Sequence, residues 1–258
     1  MPTDTIVAPL FPTGLPWANV VGREASIIQR GKPLLIEFWD FCRPNSVRTL
    51  PYLQAWHERY SEDGLRIVGV HSPGFAPARD EDAVRAAVTR LGIEYPVLID
   101  RELELWRDYE NQGWPARYLF DGRARLFEYH YGEGAYTETE LAIQELLGVE
   151  RDPLAPLRPE DAPDAALVPQ TEDQPGAYSG PYEAGGVWTV LDGSGTVRVE
   201  ARTTTDDRSE PALATELQVS HPGAYPLVEH ERHTAGVLTL ELGPGLECLA
   251  TCFTPGLA

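Results

Sequence analysis

Lysine is nearly missing from this chain, cysteine is scarce, and no apolar run reaches the length of a membrane span. Lys32 is the only lysine; with the arginines it gives 21 basic residues against 40 acidic ones, a formal charge of −19 over 258 residues. That surplus of carboxylates repels a phosphate backbone and an anionic lipid surface alike, which argues against nucleic acid and membrane as partners. The arginines are scattered and form no patch. Cys42, Cys248 and Cys252 are too few and too dispersed for a disulfide framework or a zinc site, so no metal and no other cofactor is expected. The opening MPTDTIVAPLFPTGLPWANV has neither a basic start nor a continuous apolar stretch and does not read as a signal peptide. These absences together point to the cytoplasm. The length allows two modest domains, each able to bury its own core.

What is present is strongly patterned. PLLIEFW (33–39) is a continuous apolar run, as expected of a strand covered on both faces. A helix is predicted from about Pro44 to Tyr60, with Leu50, Leu53 and Trp56 on one face and a kink at Pro51. Strand LRIVGVH (65–71), helix DEDAVRAAVTRLG (80–92), strand YPVLID (95–100) and the short helix RELELWRDY (101–109) follow. ARYLFD (116–121) and ARLFEYHYG (124–132), joined at Asp121-Gly122, read as an antiparallel hairpin, and Glu138 to Leu147 as a closing helix. That order, βαβ then ββα, is a thioredoxin-like α/β plan for residues 1–148.

Periodicity then disappears into a Pro- and acid-rich linker, residues 149–178, too polar to order itself alone. Apolar residues recur through it at Leu154, Leu157, Ala162, Ala165, Leu167 and Val168, and are expected to pin it as an extended strap. Residues 179–258 alternate apolar and polar positions in GGVWTVLDGSGTVRVEAR, ALATELQVSH, AYPLVEHE, GVLTLELG and LECLATCFT, with Gly, Pro and Asp turns between. A small all-β sandwich or jelly-roll domain fits best.

Four segments in order, FPTGLPWANV, LIEFWDFCRPNSVRTLPYL, GVHSPGF and WPARYLFD, resemble the TlpA/DipZ-type thioredoxin-like (redoxin) proteins over about residues 10–148. The β domain is similar, more loosely, to the one that follows the thioredoxin domain in DipZ-type proteins. The resemblance implies thiol-disulfide chemistry, from which this sequence departs. Aligned without gaps, the two motif cysteines fall on Arg43 and Ser46, and Cys42 lies one residue ahead of the first. Dithiol exchange needs one thiolate to attack and a second to resolve the mixed disulfide. Ser46 cannot resolve one, so the redox motif is degenerate and ordinary exchange is not expected. Whether the chain is an enzyme then rests on Cys42.

Cys42 admits two readings. At a helix N-terminus beside Arg43 its thiol has a setting that favours thiolate, as in a single-cysteine thiol oxidoreductase or antioxidant protein. The preferred reading is a core residue left after the motif decayed. Glu37 matches the acid that thioredoxins bury beneath the motif; inside an apolar strand it should carry a raised pKa or need a partner, which Arg43 could supply, the alternative being a route to water at the strand edge. Trp114-Pro115 occupies the family's cis-proline position, where relatives present backbone groups to a bound peptide. It would border a groove with Phe41, Arg43 and His71, the last read as a loop anchor ahead of general base or metal ligand.

In the β domain, His230 and His233 are placed on opposite strand faces, unsuited to one metal. Cys248 and Cys252 are placed on one face, about 13 Å apart, as core fillers. Tyr178, Tyr182, Trp188 and Tyr225 are candidates for a sugar-stacking platform, with ordinary core packing preferred. The leading expectation is a peptide or protein partner bound in the thioredoxin-type groove. A second copy of the chain is a further candidate partner.

Overall fold

The computed structural model describes residues 6–20, 29, 31–205, 208–209 and 213–258; Ala212, at the head of one expected strand, lies outside them. Residues up to 41 together with 45–157 form one compact unit, and residues 42–44 group with 158–258 in a second.

The first unit is built around the apolar run foreseen in the sequence. β2 (Leu34–Trp39) is buried at every position and lies inside a six-stranded sheet of order β1-β4-β3-β2-β5-β6. Its neighbours are β3 (Arg66–His71), parallel to it, and β5 (Ala116–Phe120), antiparallel. β4 (Val97–Ile99) continues the parallel half, and β6 (Leu126–Tyr131) closes the other side as an edge strand. β1 (Trp17–Ala18), two residues pairing with β4, was beyond reach of a periodicity argument. Helix α1 (Pro44–Tyr60) runs through Pro51, α2 (Glu81–Arg90) starts on the Asp80 side-chain cap, and α3 (Glu104–Asp108) and α4 (Tyr136–Leu147) follow in the expected places. α4 ends on Gly148 at φ +67°, the left-handed position that glycine fills at least cost.

Because side chains alternate along a strand, β2 serves two environments. Leu34, Ile36 and Phe38 pack with Val68, Val70, Leu98, Ala116, Tyr118 and Phe120 in one apolar cluster. Leu35, Glu37 and Trp39 point to the opposite face.

The second unit is all-antiparallel β. β9 (Gly180–Gly193), β10 (Gly195–Thr205), β13 (Gly223–Leu242) and β14 (Leu246–Thr254) form its body, joined by β12 (Leu213–Val219) on β10. Register shifts interrupt β13 against β9 and β14 against β9, and such bulges bend long strands. One of them overturns a sequence expectation. Cys248 pairs with Leu191 and Cys252 with Trp188 across a shift between Cys248 and Ala250. Leu191 and Trp188 are an odd number of residues apart, so the cysteines lie on opposite faces and not on one. Cys252 is buried, Cys248 half-buried, and both are free. The sugar platform does not exist either: Tyr182 and Trp188 are buried, and Tyr178 and Tyr225 pack against the core.

Residues 149–157 lie on the first unit. Arg151 and Leu154 donate their backbone N–H groups to Gln144 and Glu140, Leu157 donates to the Tyr52 hydroxyl, and the Arg151 guanidinium pairs with Asp63 at 2.8 Å. Residues 158–178 belong to the second unit. β7 (Leu167–Val168) pairs with β15 (Gly256–Leu257), and β8 (Gln174–Pro175) adds to β14. Of the apolar side chains expected to pin this stretch, Leu154, Ala162, Ala165 and Val168 are half-buried, while Leu157 and Leu167 are exposed. Backbone hydrogen bonds and the Arg151 ion pair hold it as well.

Candidate functional site

β2 delivers its last residues into a short turn, Asp40 and Phe41, from which α1 starts at Pro44. Ser46, at the second motif position, is buried, and its Oγ accepts the Asp40 N–H at 3.2 Å. A hydroxyl here ties the end of the strand to the first turn of the helix. Cys42 is fully buried, and Arg43 is half-buried.

Asp40 organises the loop. Its Oδ2 accepts the Gly74 N–H at 2.7 Å, and its Oδ1 lies 3.7 Å from His71 Nε2. His71 is wholly buried, stacked on Phe41 at 5.3 Å and edge-on to Trp39 at 5.0 Å. Burial pushes its pKa down to about 3, so the ring is neutral throughout the physiological range. Phe41 and His71 are 2% and 0% exposed and offer no accessible wall to a groove, which corrects the sequence expectation for both.

Trp114 and Pro115 adjoin this loop. The Trp114–Pro115 peptide is cis, Trp114 Nε1 donates to the Ser72 carbonyl at 2.8 Å, and the Trp106 and Trp114 rings lie 4.3 Å apart. Pro115 is buried, while Trp114 keeps part of its surface accessible. Asp100 supports the same region: its carboxylate accepts the N–H groups of Glu104, Leu105 and Trp106 at the start of α3 and the Ser72 hydroxyl at 3.3 Å. Neither Asp40 nor Asp100 was singled out from sequence. The available signal was position, since each directly follows a buried strand, where a short acid can turn back onto backbone N–H groups.

Beneath the motif lies Glu37, 1% exposed, with no hydrogen-bond partner for either carboxylate oxygen among the described residues. Desolvation raises its pKa to about 8, opposed by Arg117 and reinforced by Glu128. Neither sequence expectation for its partner holds. β2 is not an edge strand, so water is out of reach, and the cation that acts on Glu37 is Arg117, its direct cross-strand neighbour on β5. On the other side stands Gly69, where a Cβ would come within 2.9 Å of Trp39 Nε1 and 3.2 Å of the Tyr95 ring. Arg117 is fully buried, donates to the Gly134 carbonyl, and lies over the rings of Trp56 at 5.7 Å and Tyr136 at 5.0 Å. A lone arginine inside ARYLFD was the signal for this pair.

No family model matches the chain. It is 34% identical over 163 residues to Protein DipZ of Mycobacterium tuberculosis, covering 60% of this chain and 24% of that protein, so the match spans about a quarter of the relative's length. Over 132 residues it is 27% identical to the thiol-disulfide oxidoreductase YkuV of Bacillus subtilis, covering 51% of this chain and 87% of YkuV. The thioredoxin-like superfamily protein SPOA0173 superposes with a TM-score of 0.51 at 23% identity, over 57% of this chain and 99% of that one, a likeness of fold. These likenesses support a thioredoxin-like fold of the redoxin type over the first part of the chain. Among the described residues no group of three His, Cys, Asp or Glu side chains could hold a metal ion, and no helix is long and apolar enough to cross a membrane.

Proposed function

We propose that this chain is a redoxin that has given up dithiol exchange and binds a peptide or protein partner through the surface beside its motif, with Trp114 as the accessible contact. The observation that carries the reading is Ser46: the position that should hold the resolving thiol holds a buried hydroxyl engaged with the Asp40 backbone. Arg43 at the attacking position has no redox chemistry, and the burial of Cys42 speaks against its use as a lone nucleophile. Three cysteines with no disulfide among them fit a reducing compartment such as the cytoplasm.

The test is insulin reduction with dithiothreitol as electron source. The protein is expected to show no turnover above the uncatalysed rate, whereas Arg43→Cys combined with Ser46→Cys gains measurable exchange, since strand, helix and Pro115 loop are already in place. Turnover by the unmodified chain overturns the reading. Rapid maleimide labelling of Cys42 in the native protein, with an apparent pKa well below the roughly 8.5 of a free thiol, would replace it with single-cysteine chemistry.

A further inference from the structure

The edge of the first unit's sheet carries a cluster of tyrosines that neither the redox chemistry nor its loss explains. β5 and β6 pair Tyr118 with Tyr129 and Ala116 with Tyr131, which sets these three tyrosines on one face. Their rings form a continuous edge-to-face chain: Tyr109 to Tyr118 at 5.4 Å, Tyr118 to Tyr131 at 6.0 Å, and Tyr131 to Tyr129 at 5.7 Å. The Tyr118 and Tyr131 hydroxyls meet at 2.9 Å, and the Tyr109 hydroxyl is buried with no hydrogen-bond partner among the described residues. Together they floor an open pocket of about 590 Å³, walled by residues 6–9 and by the chain leaving α3, which contributes Asp108 and Glu110.

Several features of this pocket agree. Tyr129 and Tyr131 are 57% and 43% exposed, large aromatic areas that a folded chain does not leave open without a use. Tyrosine faces are negative and attract cations, and the two carboxylates at the rim add to the same field; no Lys or Arg is among the lining residues. The pocket also adjoins the outer edge of the sheet. β6 is its outermost strand, and residues 6–8 pair only around Arg125 and Leu126, so that among the described residues the edge of Phe127–Tyr131 facing away from β5 has no strand partner. Such an edge accepts an extended peptide by backbone hydrogen bonding.

We propose that this pocket binds an arginine side chain presented by an extended peptide laid along β6. A guanidinium is planar, always charged and weakly hydrated, so it stacks on the tyrosine faces while its N–H groups reach the Asp108 and Glu110 carboxylates and the orphaned Tyr109 hydroxyl. The acidic character of the whole chain, −19, raises the local concentration of such a basic partner.

The test is calorimetric titration of the full chain with the pentapeptide acetyl-Thr-Val-Arg-Val-Thr-amide and its neutral citrulline counterpart at low salt. The arginine peptide is expected to bind at least about fivefold more tightly than the citrulline one. Tyr129→Ala combined with Tyr131→Ala should abolish the difference, with far-UV circular dichroism unchanged because both side chains are largely exposed. Glu110→Gln, a milder exposed change, should weaken arginine binding about two- to fivefold and flatten its salt dependence. Equal binding of the two peptides, or no effect of the tyrosine pair, overturns the proposal. So does self-association of the chain that the tyrosine pair abolishes, since the occupant is then a second copy. The insulin assay does not touch this pocket, so the two readings fail independently.

Discussion

Two glutamates of the first unit are buried to the same degree and treated in opposite ways. Glu140, on α4, is 1% exposed and saturated: the Tyr60 hydroxyl at 2.6 Å and Arg59 at 3.1 Å meet one oxygen, Trp56 Nε1 at 3.2 Å and the Leu154 N–H at 2.8 Å the other. Glu37, on β2, is also 1% exposed, and its carboxylate has no hydrogen bond among the described residues. A buried carboxylate with four donors is a structural joint, here fixing α1, α4 and the segment that follows α4 to one another. One with none is unfavourable when charged and keeps its proton instead. The difference teaches where this fold tolerates an unsatisfied group: in the middle of the first unit's sheet, on β2, directly opposite Arg117 of β5.

The comparison breaks most visibly at Glu140. Replacement by Ala leaves Trp56 Nε1, the Tyr60 hydroxyl, the Leu154 N–H and part of the Arg59 charge without their acceptor. A loss of about 3–5 kcal/mol is expected, the usual cost of removing one member of a buried, hydrogen-bonded ion pair. Urea denaturation reads it directly, and a loss under about 1 kcal/mol would mean that water takes over the acceptor role.

Glu37 should answer in the opposite direction. Its folded pKa of about 8 lies above the ordinary glutamate value of 4.5, so between these values the unfolded chain releases a proton that the folded chain retains. Stability from this group is therefore fully present below about 4.5 and is lost as pH rises through about 8, by roughly 5 kcal/mol in all at the order-of-magnitude level. Glu37→Gln removes the titrating group, and the variant is expected to be more stable than the parent at pH 8 and indistinguishable from it at pH 4.5. Parallel stability-versus-pH curves for the two proteins would show that Glu37 is ionised and paired in the folded state.

Much of this contrast was legible in the sequence, and its gaps have physical reasons. Glu37 stood out because a charge inside PLLIEFW has nowhere to go, and the α/β order followed from apolar runs of the right length. Its partner did not stand out, because cross-strand register between β2 and β5 joins segments far apart in the chain, and Arg43 was nearer in sequence. Cys248 and Cys252 were placed on one face because period-two alternation holds until a bulge adds one residue, which leaves no mark in composition. The stretch after α4 was read through its apolar residues alone, whereas its hydrogen-bonding backbone helps to fix it, and every sequence has one. Asp40 and Asp100 look like ordinary loop acids until the N–H groups they collect are brought together by the fold.

The smallest effect isolates Arg117, which links the orphaned acid to the sheet edge. It sits directly opposite Glu37 on one side and His130 on the other, a single row across β2, β5 and β6. Burial is the main cause that lowers the His130 pKa, with the Glu133 carbonyl opposing it and Arg117 adding to it. For Glu37 the same guanidinium holds the pKa down against desolvation. Replacing Arg117 by Met keeps most of the side-chain volume over Trp56 and Tyr136 and removes one positive charge between two titrating groups. Removing a cation favours the protonated form of each neighbour, so both pKa values should rise: Glu37 above about 8, and His130 back toward its ordinary 6.5. Carbon-detected NMR titration of the Glu37 carboxyl and proton titration of the His130 ring measure the two shifts in one sample. A rise at Glu37 alone would mean that solvent at the half-buried edge screens His130 from Arg117. No rise at either would show that Glu128, the other acid in reach, already neutralises the guanidinium, and that Glu37 is isolated from every charge in the unit.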